Sequence, residues 1–104
     1  MTAQADKTYN GWSNYETWNV ALWLGNDEGT YNLVREMAQE ARESDRAQTA
    51  YMGATPALVL ADALEDMVKT NAPELGASMY ADLLGAALSE VDWYEIAQNV
   101  LSED

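Results

Sequence analysis

Apolar residues recur at three- and four-residue spacing through most of this chain, and no segment alternates with period two for long enough to make a strand. That pattern dictates helices, and local start and stop signals divide them. Ser13-Asn14-Tyr15-Glu16 reads as a capping box, in which the Ser13 hydroxyl accepts from the Glu16 N–H and the Glu16 carboxylate reaches back. The helix is expected to reach about Leu24, with Gly25-Asn26 supplying a left-handed residue to stop it. Tyr15, Trp18, Val20, Ala21, Leu22, Trp23 and Leu24 cover nearly every face, the pattern of a centrally buried helix.

A second helix starts at Asn26-Asp27-Glu28, where acids suit the N-terminal dipole. Tyr31, Val34, Met37, Ala38 and Ala41 form its apolar stripe. Residues 44–54 read equally as its continuation or as a loop. Thr55-Pro56 is a cap followed by proline at the first helical position, and Leu60, Ala63, Leu64, Met67 and Val68 then make a stripe. Asn71-Ala72-Pro73 ends that helix. The next runs from Glu74 or Ala77 to Ser89, with Leu75, Met79, Tyr80, Leu83, Leu84, Ala87 and Leu88 apolar. Asp92-Trp93-Tyr94-Glu95 is a second capping box, flanked by Val91 and Ile96 at the positions of a hydrophobic staple. Ile96, Ala97, Val100 and Leu101 are expected to face inward. The expected fold is all-α: a flexible tail over residues 1–8, then a single compact domain of about five short helices over 9–104.

Charge is the second constraint. Eighteen acids against five bases give a net charge of −13, and the imbalance is uneven. Residues 47–104 hold ten acids and one base, Lys69. Such a field opposes compaction and disfavours anionic partners, so neither direct nucleic-acid binding nor an anionic membrane is expected. No run approaches the roughly 18 apolar residues of a membrane span, and the N-terminus lacks a signal-peptide core. A soluble cytoplasmic protein is the expectation. The lysine-poor, acidic composition is also that of proteins adapted to a saline cytoplasm.

With no His and no Cys, the usual general base, thiolate nucleophile and zinc ligands are missing. The scattered glycines form no phosphate loop, and Asp27-Glu28-Gly29 does not extend into a calcium loop. Asp62 with Glu65 and Asp66 shares one helical face, which suits magnesium or acid–base work less well than it suits a solvated surface. No catalytic residue, metal site or cofactor is expected. The aromatic group Tyr9, Trp12, Tyr15, Trp18, Trp23 and Tyr31 reads either as core packing or, through Trp12 and Tyr15, as a docking anchor. Trp93 and Tyr94 cannot both pack inward beside Ile96 and Val100, so one of them is expected at the surface, within an acidic corner formed by Glu90, Asp92 and Glu95.

Residues 9–31, built around Trp12-Ser13-Asn14-Tyr15-Glu16-Thr17-Trp18, resemble a motif of small acidic proteins of phages, plasmids and other mobile elements. Residues 75–101, including Ser89-Glu90-Val91-Asp92-Trp93-Tyr94-Glu95-Ile96-Ala97, resemble the tail of the same group. In character the chain is also similar to the DNA-mimicking antirestriction proteins of phages and conjugative plasmids, with a short match at Tyr80-Ala81-Asp82-Leu83. The resemblance implies a mobile-element context. It leads to the expectation of an inhibitor of a host nucleic-acid-binding defence enzyme, of the restriction or CRISPR type, that occupies a basic nucleic-acid-binding surface. The expected partner-binding residues are Asp62, Glu65, Asp66, Asp82, Glu90, Asp92, Trp93, Tyr94 and Glu95. The alternative is a small non-enzymatic adaptor or assembly protein that binds through Trp and Tyr patches, and a homodimer is compatible with either.

Overall fold

Helical periodicity becomes five helices in the computed structural model, which describes residues 9–44 and 55–102. They are α1 (Tyr15–Asn26), α2 (Glu28–Glu43), α3 (Pro56–Thr70), α4 (Met79–Ser89) and α5 (Trp93–Ser102). The expected tail over residues 1–8 lies outside the described residues, as does the ambiguous segment from residue 45 to residue 54. Ser44 itself is extended and its N–H returns to the Ala41 carbonyl, which closes α2 at Glu43. Among the described residues there is no strand, and the fold is all-α, a single compact domain.

The core sits where α2, α3 and α5 meet. Val34, Ala38 and Ala41 come from α2, Leu60, Ala61 and Leu64 from α3, and Trp93, Ile96 and Ala97 from α5, with Val91 just ahead. Ala38 and Ala41 let the helices approach closely, so that Leu60, Leu64 and Ile96 are essentially inaccessible to water. Each of those three contributes roughly 1.5–3 kcal/mol by its burial. On α3 the stripe is shifted from the expected one: Ala61 rather than Ala63 is buried, while Met67 and Val68 pack at the edge.

The expected central place of α1 is not observed; the helix is peripheral. It packs on α2 and α5, only Thr17 is buried, and Trp23 is 67% exposed. An all-apolar helix needs neighbours on every side, and this small fold supplies them on one. Helix α4 likewise lies at the margin and has no buried residue. Met79, Tyr80 and Leu83 point to solvent, and Leu88 is its contact with the core.

The caps also differ in detail. Asn14, not Ser13, caps α1, its side chain accepting from the Thr17 N–H at 2.8 Å. Gly25 stays helical, and α1 passes into α2 through one extended residue, Asp27. The Asp27 carboxylate accepts from both the N–H and the hydroxyl of Thr30, at 2.9 Å each. These two bonds, the backbone one foremost, hold its carboxyl below the usual value. Thr55 and Ser78 cap α3 and α4, accepting from Leu58 and Ala81 respectively.

Candidate partner-binding surface

The N-terminal ends of α1 and α5 lie side by side, and their side chains serve each other. Asp92 caps α5 as expected, accepting from the Glu95 N–H at 3.0 Å, and the staple residues Val91 and Ile96 are both buried. The second half of the expected box does not form. Asp92 N–H donates instead to Thr17 Oγ1, at 2.8 Å. Glu95 turns away from its own cap, and its Oε1 accepts from the Ser13 hydroxyl at 2.7 Å and the Ser13 N–H at 3.2 Å. Asn14 Nδ2 donates to the Glu90 carbonyl at 2.7 Å.

Two helix N-termini brought together present two positive dipole ends, and the Glu95 carboxylate between them offsets that repulsion. Both Thr17 and Glu95 are buried, and among the described residues no buried side-chain nitrogen or oxygen lacks a partner. Residues 13–17 and 90–95, which carry much of the motif resemblance, are therefore a fastener between the two ends of the fold.

Ahead of α1, Tyr9 and Trp12 exchange two backbone hydrogen bonds, 2.9 and 2.7 Å long, around Asn10-Gly11. Both central residues have positive φ, 49° and 90°, which an Asn-Gly pair tolerates. The turn folds Tyr9 onto α1, where its ring meets Tyr15 edge-on at 5.2 Å and Trp18 at 5.0 Å. Tyr15 remains about half exposed, and Trp12 packs against the core edge. Between α1, α2 and α5 a half-open groove of about 360 Å³ is lined by Trp12, Trp18, Tyr31, Val34, Ile96 and Val100, among others. Arg35 borders it, 5.4 Å over the Tyr31 ring and donating to the Tyr31 hydroxyl. Neither the turn nor the groove was anticipated from the sequence, although Asn10-Gly11 is a turn signal in its own right.

The nine expected partner-binding residues divide into two sets. Asp62 and Asp66 on α3, Asp82 in the first turn of α4, Glu90 at its end and Asp92 at the start of α5 are exposed, and Tyr94 is partly so. Glu65 is half-buried, with Lys69 Nζ 2.7 Å from its Oε2. Trp93 and Glu95 are buried, so they support the surface rather than form it. Trp93 thus takes the inner place of the aromatic pair and Tyr94 the outer.

Among the described residues no three acidic side chains converge closely enough to hold a metal ion. Among the described residues no helix is long and apolar enough to cross a membrane. No curated protein and no solved structure matches the chain. A family of unknown function, DUF7249, matches residues 5–101, and the chain belongs to that family.

Proposed function

We propose that the protein is a non-catalytic inhibitor that binds the basic, nucleic-acid-binding surface of a host defence enzyme of the restriction or CRISPR type. One observation carries this reading. Over residues 55–102 eight acids face one base, Lys69, and that base is tied to Glu65 on its own helix. Asp62, Asp66, Asp82, Glu90 and Asp92 are exposed across three successive elements, where a cationic cleft meets carboxylates in place of phosphates. Opposed fields of this kind speed encounter and fix orientation more than they raise intrinsic affinity.

The test is the triple reversal D62K/D66K/D82K. All three side chains are exposed, so the fold should persist. The reading predicts that a nucleic-acid-binding protein captured from host lysate by the wild type is not captured by the variant. Equal capture by both proteins sinks it.

A second reading, an adaptor that docks by aromatic patches, is favoured by the exposure of Trp23 and Tyr80, 67% and 64%. It predicts capture that is insensitive to salt and lost on Trp23→Ala or Tyr80→Ala. Trp93→Ala does not discriminate, because Trp93 belongs to the core.

A further inference from the structure

Helix α4 is an anomaly in its own fold. It has 11 residues, most of them apolar, and buries none of them. Helices this short are marginal in water without tertiary packing. Its Ser78 cap helps by closing the first turn, yet Met79, Tyr80 and Leu83 are still 62%, 64% and 61% exposed. Met79 and Leu83 are four residues apart and so stack on one face, with Tyr80 beside them. Exposed apolar residues scattered singly are ordinary, but three neighbouring ones on the outer side of a helix whose inner side is only half-buried mark a contact surface.

Charge decides what covers it. Every charged side chain from Glu74 to Glu90 is an acid. Asp82 lies on the same exposed arc, three residues from Met79, and Glu90 closes the arc eleven residues on, three helical turns away. A second copy paired about a twofold axis sets this arc against itself, acids included, on chains of net charge −13. Nucleic acid and anionic lipid carry the same wrong sign. A helix with apolar residues flanked by Lys or Arg matches the arc in both respects, with apolar side chains on the Met79–Leu83 ridge and cations beside Asp82 and Glu90. We infer that the outer face of α4 docks a cationic amphipathic helix of the partner protein. This rests on the reading of the protein as a binder of basic surfaces, and names the element and the partner chemistry.

The probe is an 18-residue amphipathic helix of Leu and Lys, beside a permuted peptide of equal composition with no apolar face. Both are titrated calorimetrically into the full-length protein at low and high salt. The inference predicts that the amphipathic peptide binds about tenfold more tightly than the permuted one, a separation well above measurement error. Leu83→Ser should abolish that preference and Trp23→Ser should retain it; both side chains are mostly exposed, and circular dichroism verifies that each variant is folded. A preference surviving in Leu83→Ser, or lost equally in Trp23→Ser, overturns the inference. If both peptides bind alike and release with salt, docking on α4 is refuted while charge-based binding stands. If neither binds at low salt, both readings fall. A concentration-dependent dimer of the protein alone that Leu83→Ser dissolves assigns the face to a second copy and overturns the inference.

Discussion

Replacing Thr17 by valine keeps the side chain's shape and removes the one oxygen that receives the Asp92 N–H. Thr17 is fully buried on the inner side of α1, and its Oγ1 lies 2.8 Å from that nitrogen, 75 residues away in sequence. Because valine fills the same volume, the cavity penalty is small and the electrostatic cost dominates. Stranding a buried donor costs about 1–3 kcal/mol. Valine also avoids burying a hydroxyl, which offsets part of that, so the expected net loss is about 1–2 kcal/mol. Against a stability of roughly 5–15 kcal/mol for a small domain, that is a substantial fraction. It corresponds to a fall in Tm of roughly 5–15 °C for a domain of about this size. Urea and thermal unfolding followed by far-UV circular dichroism read the loss. Amide exchange at Asp92 reads its cause, since that N–H should be protected in the wild type and exchange faster in the variant. A midpoint unchanged within error, with Asp92 still protected, refutes the idea that this bond fastens α1 to α5.

Other substitutions probe the remaining joints. Glu95→Ala removes the buried acceptor of the Ser13 N–H and hydroxyl and should cost about 1–3 kcal/mol by urea unfolding; Glu95→Gln keeps an acceptor oxygen and should cost less. Leu64→Ala, in the core, should lose about 2–5 kcal/mol, whereas Trp23→Ala, despite removing the larger side chain, should stay within about 0.5 kcal/mol in the same assay. The Asp27 carboxyl should titrate below its ordinary value of 3.8 in an NMR pH series. Its folded pKa is lowered, so its contribution is present above the unfolded value and is lost as pH falls from there through the folded one. Asp27→Asn should flatten that part of the pH–stability curve.

Start signals that depend only on neighbouring residues were legible in the sequence. Thr55-Pro56 and the pair of Asp92 with the Val91–Ile96 staple each act within one turn, and the structure uses them as written. Signals decided by distant partners were not. Ser13 and Asn14 are both good caps, and Asn14 takes the role while Ser13 turns to Glu95, 82 residues away. For the same reason Glu95 reads locally as half of a capping box but ends as a buried acceptor. In α1 and α4 the difficulty is different. Apolar residues on most faces leave no polar side to orient the helix, so pattern alone cannot tell a central helix from one at the margin. The exposure of the acids was legible, because carboxylates at the edge of a helical stripe stay in water, as those of Asp62, Asp66 and Asp82 do. The apolar ridge of α4 became visible only when the core proved to close without it.

The most direct measurement of charge-based binding is capture of a partner from host lysate by the tagged protein, washed in steps from low to high salt. The proposal predicts a nucleic-acid-binding protein that elutes as salt rises, because screening shortens the reach of exposed carboxylates to within about a Debye length. A partner retained through the high-salt wash, or the absence of any partner at low salt, contradicts it.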